Sequence, residues 1–267
     1  MKAFEKKQIL ITVKAYPNPN RKLGETVCCA GIDLSNNQLI RLYPVPFRDL
    51  DDDQKFKKYS IISVDCFRPN NDSRPESYSI HSSSIKVIDY LDSEGGTWKK
   101  RHNIVSKVPV KSMCQVYKDC KDSDLSLGII KPENITFEYK KRKLSDPKKR
   151  EAYYSQFNIL SKAKGVIEEI PFLFYYRFKC VGVDDCEGHK LSIVDWEICQ
   201  AYREWRERYG KEDLPEEIKK RWLAIADTSK KDVRFYVGNM SWLRDTFLVL
   251  GVFYPRIIPG ARQLFRV

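Results

Sequence analysis

Between Gln8 and about Ile88 the chain reads as short apolar runs broken by turn residues, the pattern of β-strands. Ile9-Leu-Ile-Thr-Val-Lys14 is rich in β-branched residues and runs into the turn Tyr16-Pro-Asn-Pro-Asn20. Thr26-Val-Cys-Cys-Ala-Gly-Ile32 ends at Ser35-Asn-Asn37. Gln38-Leu-Ile-Arg-Leu-Tyr43 alternates, which puts Leu39, Arg41 and Tyr43 on one face and Ile40 and Leu42 on the other. With Ile61–Phe67 and Ser84–Ile88 this makes four or five short strands, enough for a small closed sheet of OB or PUA type.

From Gly95 to about Ala163 the composition turns basic, with Lys140, Lys141, Arg142, Lys143, Lys148, Lys149 and Arg150 crowded into eleven residues. Such runs are usually solvated and often touch phosphates. From Ile170 onward strands alternate with helices. Phe172–Lys179 and the segment Leu191–Glu197 read as strand on either side of a loop, and Ile198, Ala201, Tyr202, Trp205 and Tyr209 form the stripe of a helix, from about Trp196, that Gly210 closes. Pro215 opens a second helix, and the strands Val233–Val237 and Phe247–Tyr254 follow. The expected fold is therefore α+β. An N-terminal small β-barrel-like (OB/PUA-type) domain spans 1–95 and a basic connecting region 96–165. A C-terminal α/β domain with a Cys/His zinc loop spans 166–267.

Charge sharpens this picture. The net charge is +12, and its excess lies in the first two-thirds, since residues 166–267 carry 17 basic against 16 acidic groups. A cationic front portion recruits polyanions, of which nucleic acid is the commonest inside cells. Arg41, Tyr43 and Arg48, around Pro44-Val-Pro46, are candidates to clasp and stack a base, and the Lys140–Arg150 run to hold the backbone. A rim arginine and a core tyrosine are the plainer alternative. No membrane span is expected, and eight cysteines without an apolar leader fit a reducing cytoplasm rather than a disulfide framework.

The segment Cys180-Val-Gly-Val-Asp-Asp-Cys-Glu-Gly-His189 sets two thiols and one of only three histidines in a tight loop between strands. Thiolate sulfur and imidazole nitrogen together suit zinc. Cys180, Cys186 and His189 are the expected ligands, with Cys199 as the fourth. Asp195 is a further possibility, and Cys114 and Cys120 repeat the Cys-x5-Cys spacing. The zinc reads as structural. Asp195 and Glu197, two apart, suit magnesium or manganese if they project together. With His189 and Lys190 they would make a hydrolytic cluster. The competing reading makes Asp195 a helix N-cap and Glu197 a first-turn complement to the helix dipole. No phosphate-loop, dinucleotide or nucleophile-elbow motif occurs, which excludes nucleotide-driven motors, dinucleotide oxidoreductases and serine hydrolases.

The phrases Lys14-Ala-Tyr-Pro-Asn-Pro19, Glu25-Thr-Val-Cys-Cys-Ala-Gly31, Ile40-Arg-Leu-Tyr-Pro-Val-Pro-Phe-Arg48 and Cys186-Glu-Gly-His189 with Asp195-Trp-Glu197 resemble an uncharacterised family of bacterial proteins. The resemblance covers most of the chain. It implies a bacterial protein and no particular activity. The residues themselves point to a nucleic-acid-binding protein, read as a metal-dependent nuclease on DNA or RNA in bacterial defence. The alternatives are a non-catalytic DNA- or RNA-binding module with a structural zinc, and an interaction subunit or homo-oligomer docking a protein partner.

Overall fold

The first five long strands close on themselves. In the computed structural model, which describes residues 4–20, 24–146, 148 and 167–257, these strands come from β1 (Glu5–Lys14), β3 (Gly24–Asp33), β4 (Gln38–Val45), β5 (Ser60–Phe67) and β6 (Ser77–Ile80). Their order is β1-β3-β4-β6-β5, and β5 returns to β1 with Ile9 opposite Ile62. Only β4 and β6 run parallel within this ring. This is the Greek-key order of a five-stranded OB-type barrel. The short β2 (Asn18–Asn20) pairs with β3, and β7 (Lys86–Tyr90) adds to β5. Ile9, Ile11, Ile40, Leu42, Ile62 and Val64 fill the interior. Leu10 and Val13 point the other way and are buried too. β1 is therefore covered on both faces, which explains a continuous apolar run instead of alternation. At Gly31 the backbone of β3 lies so close to β1 that an added Cβ would sit 2.2 Å from the Leu10 carbonyl oxygen.

The described part of the stretch expected to be a basic connector, residues 96–146 and 148, is folded into helices and strands. It supplies α1 (Lys99–Val105), β8 (Val110–Lys111), α2 (Met113–Ser123), β9 (Leu127–Ile130) and β10 (Pro132–Lys141). After them come β11 (Phe172–Cys180), β12 (His189–Ile193), α3 (Trp196–Ile225), β13 (Arg234–Met240) and β14 (Leu243–Phe253). The sheet order is β10-β11-β12-β14-β13-β9-β8. Because only Lys131 separates β9 from β10, residues 127–141 act as one bent strand. Its first half pairs with β13 and its second with β11. The second sheet thus curls round to the same circular order as the first. α3 sits between its third and fourth strands and breaks at Gly210, where φ is 71°. Phe137, Phe174, Tyr176, Ile198, Ile218 and Trp222 share its core.

The two halves are locked together. Leu10, Val13, Ile32, Ile129, Tyr236 and Phe253 share one buried cluster. Arg41, expected to face a base, lies in this seam and is 2% exposed. It donates to Ser126 Oγ at 2.6 Å, to the Ser126 carbonyl at 3.1 Å and to the Asn239 carbonyl at 3.2 Å. Glu76 accepts from the backbone N–H groups of Ser126 and Leu127 beside it. The alternation in β4 was real, but its second face meets the other barrel, not solvent. Among the described residues no helix is long and apolar enough to cross a membrane.

Candidate functional site

Three thiols and one imidazole converge at the start of α2. Cys180 ends β11, and the chain turns through Gly182 and Gly188 (φ 71° and 103°) to bring back Cys186 and His189. Both glycines occupy left-handed backbone that favours a residue without Cβ. Cys114 comes from the first turn of α2, whose N-terminus Ser112 caps by accepting from the Gln115 N–H at 3.0 Å. His189 Nε2 lies 3.4 Å from Cys114 Sγ, 3.3 Å from Cys180 Sγ and 3.4 Å from Cys186 Sγ, and the first two sulfurs are 3.9 Å apart. Zinc with Zn–S near 2.3 Å and Zn–N near 2.0 Å in a tetrahedron requires S···S of about 3.8 Å and S···N of about 3.5 Å. The donor set and its spacing therefore fit a bound metal ion.

The sulfurs are prepared for negative charge. The Met113 N–H donates to Cys180 Sγ at 3.2 Å, and the Cys180 N–H to Cys186 Sγ at 3.4 Å. Without a cation, burial and the neighbouring Cys180 push the Cys114 thiol up to about 12. Burial also lowers His189, which keeps its imidazole neutral and able to ligate. Cys199, the expected fourth ligand, is not in this group. It lies one turn into α3 within the core, 8% exposed, and burial pushes its thiol up to about 12. Cys120 also points elsewhere, accepting from Asn239 Nδ2 at 3.4 Å.

The four residues read as a hydrolytic cluster do not meet. His189 faces the thiols, and Lys190, its neighbour on β12, points to the opposite face and pairs with Glu138 at 2.6 Å. Asp195 caps α3 by accepting from the Glu197 N–H at 3.1 Å. The two carboxylates do come together, yet what they hold is an ammonium. Lys58 Nζ lies 2.8 Å from Asp195 and 2.9 Å from Glu197. Desolvation, with the Glu197 charge, raises the Asp195 carboxyl to about 6, whereas Lys58 lowers Glu197.

Of the expected nucleic-acid contacts, Arg41 is sealed in the seam, and Arg48 pairs with Glu25 at 2.6 Å. Half-buried Tyr43 accepts a hydrogen bond from Thr26 Oγ1. In the basic run, Lys140, Lys141, Lys143 and Lys148 are exposed. Arg142 turns back to the Ile170 carbonyl and to Glu169. Lys149 and Arg150 lie outside the described residues.

One cationic face was missed. Along β11, Phe174, Tyr176, Phe178 and Cys180 point inward, and Tyr175, Arg177 and Lys179 point outward. Lys190 on the adjacent strand sits over the Tyr175 ring, 4.6 Å from its centroid. Arg177 opposes Lys190 in register, and both contact Glu138. The signal was present as period-two alternation inside Phe172–Cys180, hidden by the apolar look of the run.

Two family models match the chain. One, described as a domain of unknown function (DUF8758), covers residues 5–107, and another so described (DUF8757) covers 109–266. No curated protein matches. The crystal structure of the p204 HINb domain is similar at 10% identity and a TM-score of 0.32, over 96% of this chain and 98% of that one. The tetrameric p202 HIN2 structure is similar at 9% identity and a TM-score of 0.30, over 97% of each chain. Both likenesses are distant.

Proposed function

The chain belongs to the DUF8757 family through residues 109–266, and from the geometry of that half we propose that it is a non-catalytic nucleic-acid-binding module with a structural zinc. The observation that carries this reading is the outward face of β11 and β12. There Tyr175, Arg177, Lys179 and Lys190 stand together with Glu138 as the acid in contact. A ring beside cations is what stacking on bases and neutralising phosphates require. In OB-type barrels the second and third strands form the ligand face, bordered by the loops joining strands one to two and four to five. In this chain β10 ends on Lys140 and Lys141, with Lys143 just beyond, and the turn between β13 and β14 carries Trp242, 73% exposed.

The zinc would be held by Cys114, Cys180, Cys186 and His189. Four protein ligands leave no position for an attacking water, so the ion would staple α2 to the β11–β12 loop rather than hydrolyse a bond. With His189 turned to the thiols, Lys190 paired with Glu138, and Asp195 and Glu197 occupied by Lys58, the geometry favours binding over cleavage. Mobility-shift assays with single-stranded DNA and RNA, run with magnesium and with manganese, test this reading. It expects retarded, intact strands. Cleaved strands, or no retardation in about 50 mM salt, would overturn it.

A further inference from the structure

A cleft of about 640 Å³ opens between the barrels, and none of its lining residues belongs to the thiol cluster or the β11–β12 face. Its walls come from β1, the segments around residues 57–59 and 93–98, the first turn of α3 and the end of β14. Two kinds of side chain dominate it, flat rings and cations.

The rings are Trp98, Tyr254, Trp196, Tyr59 and Tyr90. Trp98 packs with Tyr254 at 4.6 Å between centroids and with Tyr59 at 5.2 Å. Trp98 and Tyr59 both sit in left-handed backbone, at φ 55° and 67°. Bulky residues occupy that region only where the surroundings force them, and such strain gathers at ligand sites. Nearby Gly96, at φ 95°, lets the Arg256 side chain close over the backbone. A Cβ there would lie 3.1 Å from Arg256 Nε.

The cations outnumber their acids. Lys14, Lys57, Lys58, Arg101 and Arg256 line the cleft, against Glu197 alone. Asp195 and Glu197 already hold Lys58. Arg101 is 5% exposed, and its guanidinium carbon lies over Tyr59, 4.0 Å from the ring centroid, and over Trp98 at 4.6 Å. Its bonds go to the Leu91 carbonyl and the Tyr90 hydroxyl, and among the described residues it makes no ion pair. Lys14 lies over Phe47 at 3.7 Å and over Trp196 at 4.8 Å, and burial lowers its ammonium to about 8. Guanidinium and ammonium groups desolvated this way are stabilised by an anion that enters beside them. Rings alone would suit an apolar guest and cations alone an inorganic anion. The combination fits a flat heterocycle joined to phosphate.

We propose that this cleft binds a nucleotide, with its base against Trp196 and Tyr254 and its phosphate among Lys57, Arg101 and Arg256. The site is independent of the β11–β12 face. The ligand is either a free nucleoside phosphate or one nucleotide of a strand.

Trp98 and Trp196 provide a direct readout. Titration of the full chain with AMP, ADP, ATP and GMP should quench tryptophan fluorescence and give saturable heat in calorimetry. Adenosine and inorganic phosphate alone should bind at least tenfold more weakly. The exposed pair Lys57→Glu with Arg256→Glu should weaken nucleotide binding at least tenfold at unchanged melting temperature. Arg177→Glu with Lys179→Glu should leave it unaltered, so loss of strand binding on that face is read separately. In that Arg177→Glu, Lys179→Glu variant, a single-stranded tetranucleotide binding tighter than AMP assigns the cleft to a strand; the reverse assigns it to a free nucleotide. The proposal fails if neither AMP, ADP, ATP, GMP nor the tetranucleotide binds at millimolar concentration. It also fails if phosphate alone matches AMP, or if Lys57→Glu with Arg256→Glu binds as the wild type does.

Discussion

Lys58 Nζ lies 2.8 Å from Asp195 Oδ2, with side chains 8% and 4% exposed, and this pair joins the first barrel to the start of α3. Removing one partner of a buried ion pair strands the other charge, at a cost of about 3–5 kcal/mol. Lys58→Met should therefore lower the urea-unfolding free energy by about 3 kcal/mol, because two carboxylates then face each other. Asp195→Asn keeps the cap and leaves Glu197 for Lys58, so it should cost less, about 1–2 kcal/mol. Equal losses would mean that the pairing contributes little.

Lys14 gives stability a pH signature. Burial lowers its ammonium to about 8, with Lys58 lowering it further and Cys29, Glu197 and Asp195 opposing. Between pH 8 and about 10.5 the unfolded chain then holds the proton and the folded chain does not, so this contribution to stability rises with pH. Lys14→Met removes the rise. Denaturant midpoints at pH 7.5 and 9.5 should converge for the two proteins as pH increases, the substituted protein starting higher. A gap that stays constant would contradict the lowered ammonium.

Metal content separates Cys114 from Cys199. The purified chain should carry one zinc, and Cys114→Ser should lose it, with a melting temperature lower by on the order of 10 °C. Cys199→Ser should keep the metal. A chelator should shift the wild type toward Cys114→Ser and leave that variant unmoved. Retention of metal by Cys114→Ser would remove α2 from the site.

Arg41 should act on stability, not on affinity. Arg41→Met removes the guanidinium bonds to the Ser126 and Asn239 carbonyls, which keep the Asn239 N–H and Arg74 as donors, so the cost should be about 1.5–3 kcal/mol. Arg41→Lys should recover only part of this, since one ammonium cannot span both carbonyls. Below the unfolding temperature both variants should bind nucleic acid like the wild type. A selective loss of binding would restore Arg41 to the interface.

These residues show what a linear reading reaches. Ile9–Lys14, Thr26–Ile32, Gln38–Tyr43 and Ile61–Phe67 all lie within strands because short β-branched runs between turns have few other ways to bury themselves. The break of α3 at Gly210 and the Asp195 cap were legible for the same local reason. What failed depended on distant pairing. Cys114 reaches Cys180 across 66 positions, and Arg41 reaches Asn239 across 198. The repeated Cys-x5-Cys spacing offered Cys114 only as an alternative ligand beside Cys199, and no local pattern encodes the Arg41 contact. Residues 99–141 were misread because their lysines and arginines outweigh the apolar positions that enter the core or the seam, among them Val105, Val108, Met113, Val116, Cys120, Leu127, Ile129, Ile130 and Phe137.

The central claim, that Arg177 and Lys179 hold phosphates, is tested most directly by the salt dependence of single-strand binding. Fluorescence anisotropy with a labelled oligonucleotide between 50 and 200 mM salt gives the slope of log affinity against log salt, near −0.7 per phosphate neutralised on a single strand. Arg177→Glu with Lys179→Glu should make that slope shallower by roughly 1.4 and weaken binding more than tenfold at the lower salt. An unchanged slope and affinity in this variant would contradict the account.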